Sequence, residues 1–394
     1  MILLGAVFGD RILDYALTIA AALTLGSPFL RPWDKREEAD KVRCRFAERL
    51  ASDQIGASDH LGTLVAYYEA DGLRFHERMD FCRENMLGSR SLQSMGALKR
   101  QLLEHLSDAG FVRHGLRARD AEACGRRDGS DGVRAALCQG SWVSHSSNPQ
   151  RDDVPLLAAL LCAALFPQVA RIALPKVSRK NKKSGKGQDP QHMKIYVQVA
   201  GEEERAKLHP SSVASRASKA MSGFLVYHEL VKTTQLYVRD VTQLPPMALL
   251  LFGGALREES ARFRNGNLGE EVILSVGGSW VRFSVPVHLL DALYTVRRQL
   301  DQLLRKRTEQ GLQSGRSNQQ QQQQQEHKDG MLLGAVARLL SFGDEDSSDD
   351  DEDEGHHGHR SRGGGGGWGG GGSKKKNKGN RQAQKARRKR SGKY

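Results

Sequence analysis

Three short strings carry the side chains best suited to chemistry: His209-Pro210-Ser211-Ser212, Lys232-Thr233-Thr234 and Tyr237-Val238-Arg239. They bring together small hydroxyls, cations and an aromatic ring. That mixture suits a single-stranded nucleic acid, whose bases stack on rings while Lys and Arg meet phosphates. The competing reading is structural, since the same residue types cap turns and strand ends in a small barrel. Catalysis has less to stand on. No Gly-x-x-x-x-Gly-Lys-Ser/Thr loop, Gly-x-Ser-x-Gly elbow or His-Glu-x-x-His pair occurs. The nearest string to a phosphate loop, Ser184-Gly185-Lys186-Gly187-Gln188, lacks the first glycine and the hydroxyl after lysine, so it reads as an exposed basic loop. His356, His357 and His359 cluster without a second ligand set, and no metal is expected there.

Charge points the same way. The 394 residues carry a net +14, of which +5 falls in His327–Tyr394 and +9 in the rest, so a polyanionic partner suits both parts. Cys44, Cys82, Cys124, Cys138 and Cys162 are odd in number and scattered, which excludes a disulfide framework and fits a reducing compartment, cytoplasmic or nuclear. The apolar stretch Tyr15–Leu25 falls well short of the roughly 20 residues of a membrane span, and no membrane partner is expected.

These residues need a frame. Residues 1–112 read as helices: an apolar one ending at Gly26-Ser27-Pro28, and a charged one opened by Asp34 and Glu37 as a capping box and running to Leu50. Another starts at Asp59, and a stripe of Leu92, Met95, Leu98, Leu102, Leu103 and Leu106 marks a further one. Residues 113–151 are polar and read as a surface insertion, and Asp153-Val154-Pro155 then starts an apolar helix, Leu156–Phe166. The period changes near Lys194. Strands are expected at Ile195–Val199, Phe224–Val231, Leu236–Val241, Ala248–Phe252, Glu271–Val276 and Trp280–Val285, then a closing helix, Val287–Arg307. Beyond Thr308 come Gln319–Gln325, the acidic Asp344–Glu354, the glycine run Gly363–Gly372 and the basic Lys374–Lys393. Such composition buries too little apolar surface to order itself, apart from one amphipathic helix at 330–342. The fold class is α+β multidomain: a helical bundle, a small β-barrel and a low-complexity tail expected to be disordered.

Several strings are familiar together. Ala16-Leu17-Thr18-Ile19-Ala20-Ala21, Ser27-Pro28-Phe29, Pro32-Trp33-Asp34-Lys35-Arg36-Glu37-Glu38-Ala39, Ser58-Asp59-His60-Leu61 and Phe81-Cys82-Arg83-Glu84-Asn85 resemble the ratchet-like helical domain of DEAH/RNA-helicase-A type ATP-dependent RNA helicases. Leu208–Val213, Leu225–Glu229, Val231-Lys232-Thr233 and Leu249–Gly254 resemble that family's OB-fold. The resemblance implies a ratchet-like domain over 1–175, a basic linker over 176–193, an OB-fold with its closing helix over 194–312 and a tail over 313–394. It also implies single-stranded RNA as partner, contacted by Arg83, Asn85, Arg90, Lys99 and Arg100 on the helical side and by His209, Ser211, Ser212, Lys232, Thr233 and Tyr237 on the OB side. An activator protein docking at the OB-fold and the motor domains of a parent helicase are further implied partners. The motor motifs themselves are not in this sequence, so ATP and magnesium are expected to belong to those motor domains, and no cofactor is expected of this chain. The alternative is a free-standing, motorless RNA-binding adaptor.

Overall fold

Secondary structure follows the apolar spacing closely in the first hundred residues and less closely afterwards. The computed structural model describes residues 1–341 except 53–54, 113–114, 129, 138–148, 174–192, 217–222, 265–266, 279 and 313–318. The Lys176–Gln188 loop, Cys138, the histidine cluster and the acidic, glycine and basic runs therefore lie outside the described residues. Helices α1 (Ile2–Phe8) and α2 (Asp10–Leu25) meet at Gly9, whose φ of 105° is open to glycine and strained for other residues. The expected capping box does not form. Trp33–Lys35 makes a 3-10 turn, and α3 (Arg36–Glu48) starts after it without a side-chain cap. Ser58 does cap α4 (Asp59–Asp71), its Oγ accepting the Leu61 N–H at 3.2 Å. Helices α5 (Phe75–Glu84) and α6 (Ser89–Asp108) follow, and α6 buries Leu92, Met95, Leu103 and Leu106.

The polar stretch after α6 is more than a surface loop. It contains α7 (Ala118–Asp128) and α8 (Val133–Leu137), which bury Leu116, Ala121, Cys124, Val133 and Ala136 against Leu13, Leu17, Leu103 and Leu106. A buried ion network fixes this packing. Lys99 is 1% exposed; its Nζ lies 2.7 Å from Asp14 Oδ1 and 2.9 Å from Asp131 Oδ2, and it donates to the Tyr68 hydroxyl at 3.3 Å. Burial pulls the ammonium pKa down, but Asp131 and Asp14 outweigh it and hold the group well above its ordinary value. Arg134 closes the network, its Nε 3.1 Å from Asp14 Oδ2 and its guanidinium 4.5 Å from the Tyr68 ring centroid.

Helix α9 (Val154–Leu165) is buried along most of its length and shares one core with Tyr15, Leu61 and Met95 of the helical half and Val226 and Leu244 beyond it. Next come β1 (Val169–Ala173), β2 (Lys194–Val199), β3 (Glu202–Leu208), β4 (Gly223–Lys232) and β5 (Leu236–Leu244). They close a barrel in the order β1-β2-β3-β5-β4, antiparallel throughout except β3 with β5, where Leu208 faces Val238. This is an OB-fold barrel. Its first strand lies inside the stretch expected to be helical to 175, and β3 was not expected because Glu202-Glu203-Glu204-Arg205 shows no apolar alternation. Ala248–Phe252 is not a strand. It belongs to helix α10 (Pro246–Phe252), begun by Pro246 in its first turn and buried over Ala248–Leu251. A separate sheet, β6 (Leu256–Arg264), β7 (Asn267–Val276) and β8 (Val281–Pro286), then leads to α11 (Val287–Leu312). The last helix, α12 (Gln319–Ser341), starts well before 330 and takes in the glutamine run expected to be disordered, while Val336 and Leu340 join the main core.

Replacing Lys99 by Met keeps its volume but leaves Asp14 and Asp131 buried without their cation. Lys99→Met should cost about 3–5 kcal/mol in urea unfolding, whereas Arg83→Ala on the surface should stay within about 0.5 kcal/mol. Equal stability of Lys99→Met and native protein would contradict this account of the insertion.

Candidate nucleic-acid interface

The strings that suggest strand binding meet where the helical half joins the barrel. The joint starts with a close approach: a Cβ at Gly62 would lie 3.1 Å from the Ala47 backbone, so any larger residue there would push α3 and α4 slightly apart. Arg43 on α3 and Asp59 at the start of α4 are thereby set side by side. Asp59 Oδ1 accepts the Val213 N–H at 3.0 Å, and its Oδ2 accepts the Ser212 hydroxyl at 2.5 Å and the Val241 N–H at 3.0 Å. Arg43 Nη2 lies 3.0 Å from Asp59 Oδ1 and donates to Asp240 Oδ1 at 2.9 Å, while Nη1 donates to the Ser211 carbonyl at 3.1 Å. Asp240 takes a left-handed φ of 50° beside this ion pair. Next to it Thr242 Oγ1 lies 2.6 Å from Ser58 Oγ and 2.8 Å from His60 Nδ1.

Around this joint sits a cluster of cations and rings. The parallel pairing of β3 with β5 delivers His209, whose N–H donates to the Val238 carbonyl at 2.9 Å. Its Nδ1 accepts the Ser211 N–H at 3.2 Å, which assigns the ring proton to Nε2, and the ring meets Tyr237 edge-on at 5.9 Å. Burial, then the guanidiniums of Arg239, Arg31 and Arg43, hold the imidazole below its ordinary pKa despite the opposing Asp240. Arg31 and Arg43 of the helical half thus act on the ring together with Arg239 of the barrel, which also donates to Glu229 at 3.1 Å. Arg31 grips Asp40 through two bonds of 2.9 and 2.8 Å, and Arg216 reaches the same carboxylate. Lys232 and Thr233 are exposed at the tip of the β4–β5 hairpin, where Lys232 faces Leu236 and the neighbouring pair is Val231 with Tyr237.

His209, Lys232, Thr233 and Tyr237 thus share one end of the barrel. The other expected residues divide. Arg83 and Arg90 are exposed on the α5–α6 side, with Arg83 3.2 Å from Asp80. Three expected contacts are replaced by internal roles. Asn85 is 5% exposed, accepts from Arg45 and donates to the Phe81 carbonyl at 2.9 Å. Lys99 is the centre of the buried network, and Ser212, 1% exposed, is consumed by Asp59. Arg100 lines a cavity of about 150 Å³ with Tyr67, Asp71, Arg78 and Asp131, and Ser211 lends its carbonyl to Arg43. Arg239 belongs to the expected Tyr237-Val238-Arg239 string, whereas Arg31, Arg43 and Arg216 are the cations that sequence reasoning missed, because nothing local distinguishes them from other surface arginines.

Among the described residues no group of three His, Cys, Asp or Glu side chains could hold a metal ion, and no helix is long and apolar enough to cross a membrane.

Residues 157–256 match the family model of the oligonucleotide/oligosaccharide-binding (OB)-fold, and residues 1–62 match that of the helicase associated domain (HA2), ratchet-like. The chain is 35% identical over 310 residues to the putative ATP-dependent RNA helicase DHX57 of Homo sapiens, covering 77% of this chain and 21% of that protein. It is 31% identical over 310 residues to the DExH-box ATP-dependent RNA helicase DExH1 of Arabidopsis thaliana, covering 78% and 25%. To the ATP-dependent DNA/RNA helicase DHX36 of Homo sapiens it is 30% identical over 309 residues, covering 78% and 26%. The chain is a DExH-box helicase C-terminal region. It spans about a fifth to a quarter of the length of these relatives. Within this helicase region the ratchet-like match ends just past Asp59, and Ser212, Val213 and Val241 lie inside the OB match. One carboxylate therefore joins the two families' modules.

Burial holds the His60 imidazole at about 4 against an ordinary 6.5. His60 thus contributes stability in full above pH 6.5, and that contribution is lost as pH falls toward 4. The loss over this window should be about 3 kcal/mol. Asp71 works in the opposite sense, raised by burial and Asp131 to about 6, so the readout must be a difference. Urea unfolding of native protein and His60→Asn should show a gap that narrows from about pH 7 to about pH 4.5; a gap independent of pH would refute it.

Proposed function

We propose that this helicase region holds single-stranded RNA across the joint between its ratchet-like helices and its OB barrel. The strand is gripped there for a motor that hydrolyses ATP in other domains of the helicase. The observation that carries this reading is that the ion pair of Arg43 with Asp59 and Asp240 brings Arg31 of the helical half beside Arg239, Tyr237 and His209 of the barrel. Cations from two modules around a pair of edge-on rings suit a phosphate backbone with unpaired bases. Lys232 and Thr233 extend the surface along the hairpin tip, and Arg83 and Arg90 offer charge on the ratchet side. The outer face of the barrel is the proposed docking surface for an activator protein.

Fluorescence anisotropy of the whole chain with a labelled single-stranded RNA, titrated at several salt concentrations, tests the strand-binding claim. Affinity should fall steeply with salt, and Lys232→Ala should flatten the log–log slope by about 0.7–1, the value of one phosphate contact. No binding at the lowest salt would overturn the proposal.

A further inference from the structure

Trp33 is 83% exposed, more than any other large apolar residue described. An indole can remove 150–250 Å² from water, so leaving it bare forgoes a large favourable burial. It is not on a loose segment. Before it, Gly88 N–H donates to the Pro28 carbonyl at 2.9 Å, Phe29 pairs with Leu87 in an isolated bridge, and Leu30 N–H donates to the Met86 carbonyl at 2.7 Å. Arg31 is then clamped to Asp40, and the indole stands at the start of the 3-10 turn. The Arg36 guanidinium lies 5.8 Å from its ring centroid.

The surroundings argue for a flat, uncharged occupant. Arg31 is taken up by Asp40, and Lys35 and Arg36 stand among Asp34, Glu37 and Glu38, so the site offers a ring and no cluster of free cations. The same step is continuous with the proposed strand surface. Arg31, two residues away, shares Asp40 with Arg216, which follows the Ser212 turn that leads back to His209 and Tyr237. Rings spaced along a basic surface suit successive unpaired bases.

We propose that Trp33 is a stacking platform for an unpaired base of the strand held at the joint, an inference that rests on the RNA-binding reading. A stacked base gains from the ring and not from charge, which sets apart the effect of removing it.

The test compares native chain, Trp33→Ala and Trp33→Phe on a single-stranded RNA and on an abasic strand of the same length and charge. Trp33→Ala should weaken binding to the intact strand about 5- to 100-fold, with an unchanged salt slope, and Trp33→Phe should restore most of the affinity. On the abasic strand all three proteins should bind alike. If native chain binds RNA and Trp33→Ala matches it, the stacking site is wrong and the ring serves a protein surface instead. An equal loss on intact and abasic strands also overturns it, because the effect then runs through the backbone or the fold. If native chain binds neither strand, the RNA-binding reading falls and this inference with it.

Discussion

The Asp59 carboxylate is the interaction on which the arrangement depends. It is 2% exposed and sits in the first turn of α4, where the helix end favours negative charge. Burying a carboxylate is costly unless its lone pairs are filled. Here two backbone N–H groups, one hydroxyl and one guanidinium fill them, drawn from α3 and from two separate barrel segments. Neither half could satisfy this group alone. The turn after β3 and the middle of β5 are therefore held by a charge belonging to the helices, and His209 and Tyr237, a few residues away on each, are positioned by it.

The Lys99 network does similar work on the other side of the helical half. Both devices bury ionised groups, which well-packed apolar residues often replace without loss of stability, and breaking either leaves an uncompensated charge. What such groups supply is selectivity among packings, since a shifted register would strand Asp59 or Asp131 without donors. The chain's positive charge must be read with this in mind. Lys99, Arg43 and Arg134 are cations by composition, yet their charge is spent inside on Asp14, Asp59, Asp131 and Asp240. Cations with exposed side chains, such as Lys232, Arg83 and Arg90, are the ones left for an external polyanion.

How legible this was varied with the physics of each element. The α6 stripe declared itself because it buries one face, so period and burial agree; β4 and β5 were legible from their β-branched and aromatic runs, although Leu225–Tyr227 and Val241–Leu244 are buried consecutively. Strand β1 was hidden because it is short and follows an apolar helix without a change of composition. Strand β3 was hidden because it carries its charges outward, with Ala206 as its one fully buried side chain. Helix α10 looked like a strand because Leu249, Leu250 and Leu251 are all buried, and a short run buried on every side has no period to read. The site shows the same divide. The string from His209 to Ser212 was visible, but Ser212 turned inward through a bond spanning 153 positions. No local pattern could carry that.

A joint built this way also bears on what a strand would meet. His209 and Tyr237 are held by backbone pairing and by the bonds to Asp59 and Arg43, so ordering them is completed in folding and not charged against binding. Most of the donors at the joint are already engaged: the Ser212 hydroxyl, the Arg43 guanidinium and the Val213 and Val241 amides all point to protein acceptors. Few directional groups are left to read the edges of bases, while rings and peripheral cations remain. On the proposed strand-binding reading, such a surface would favour single strands over duplexes, because only unpaired bases expose their faces, and would read sequence poorly.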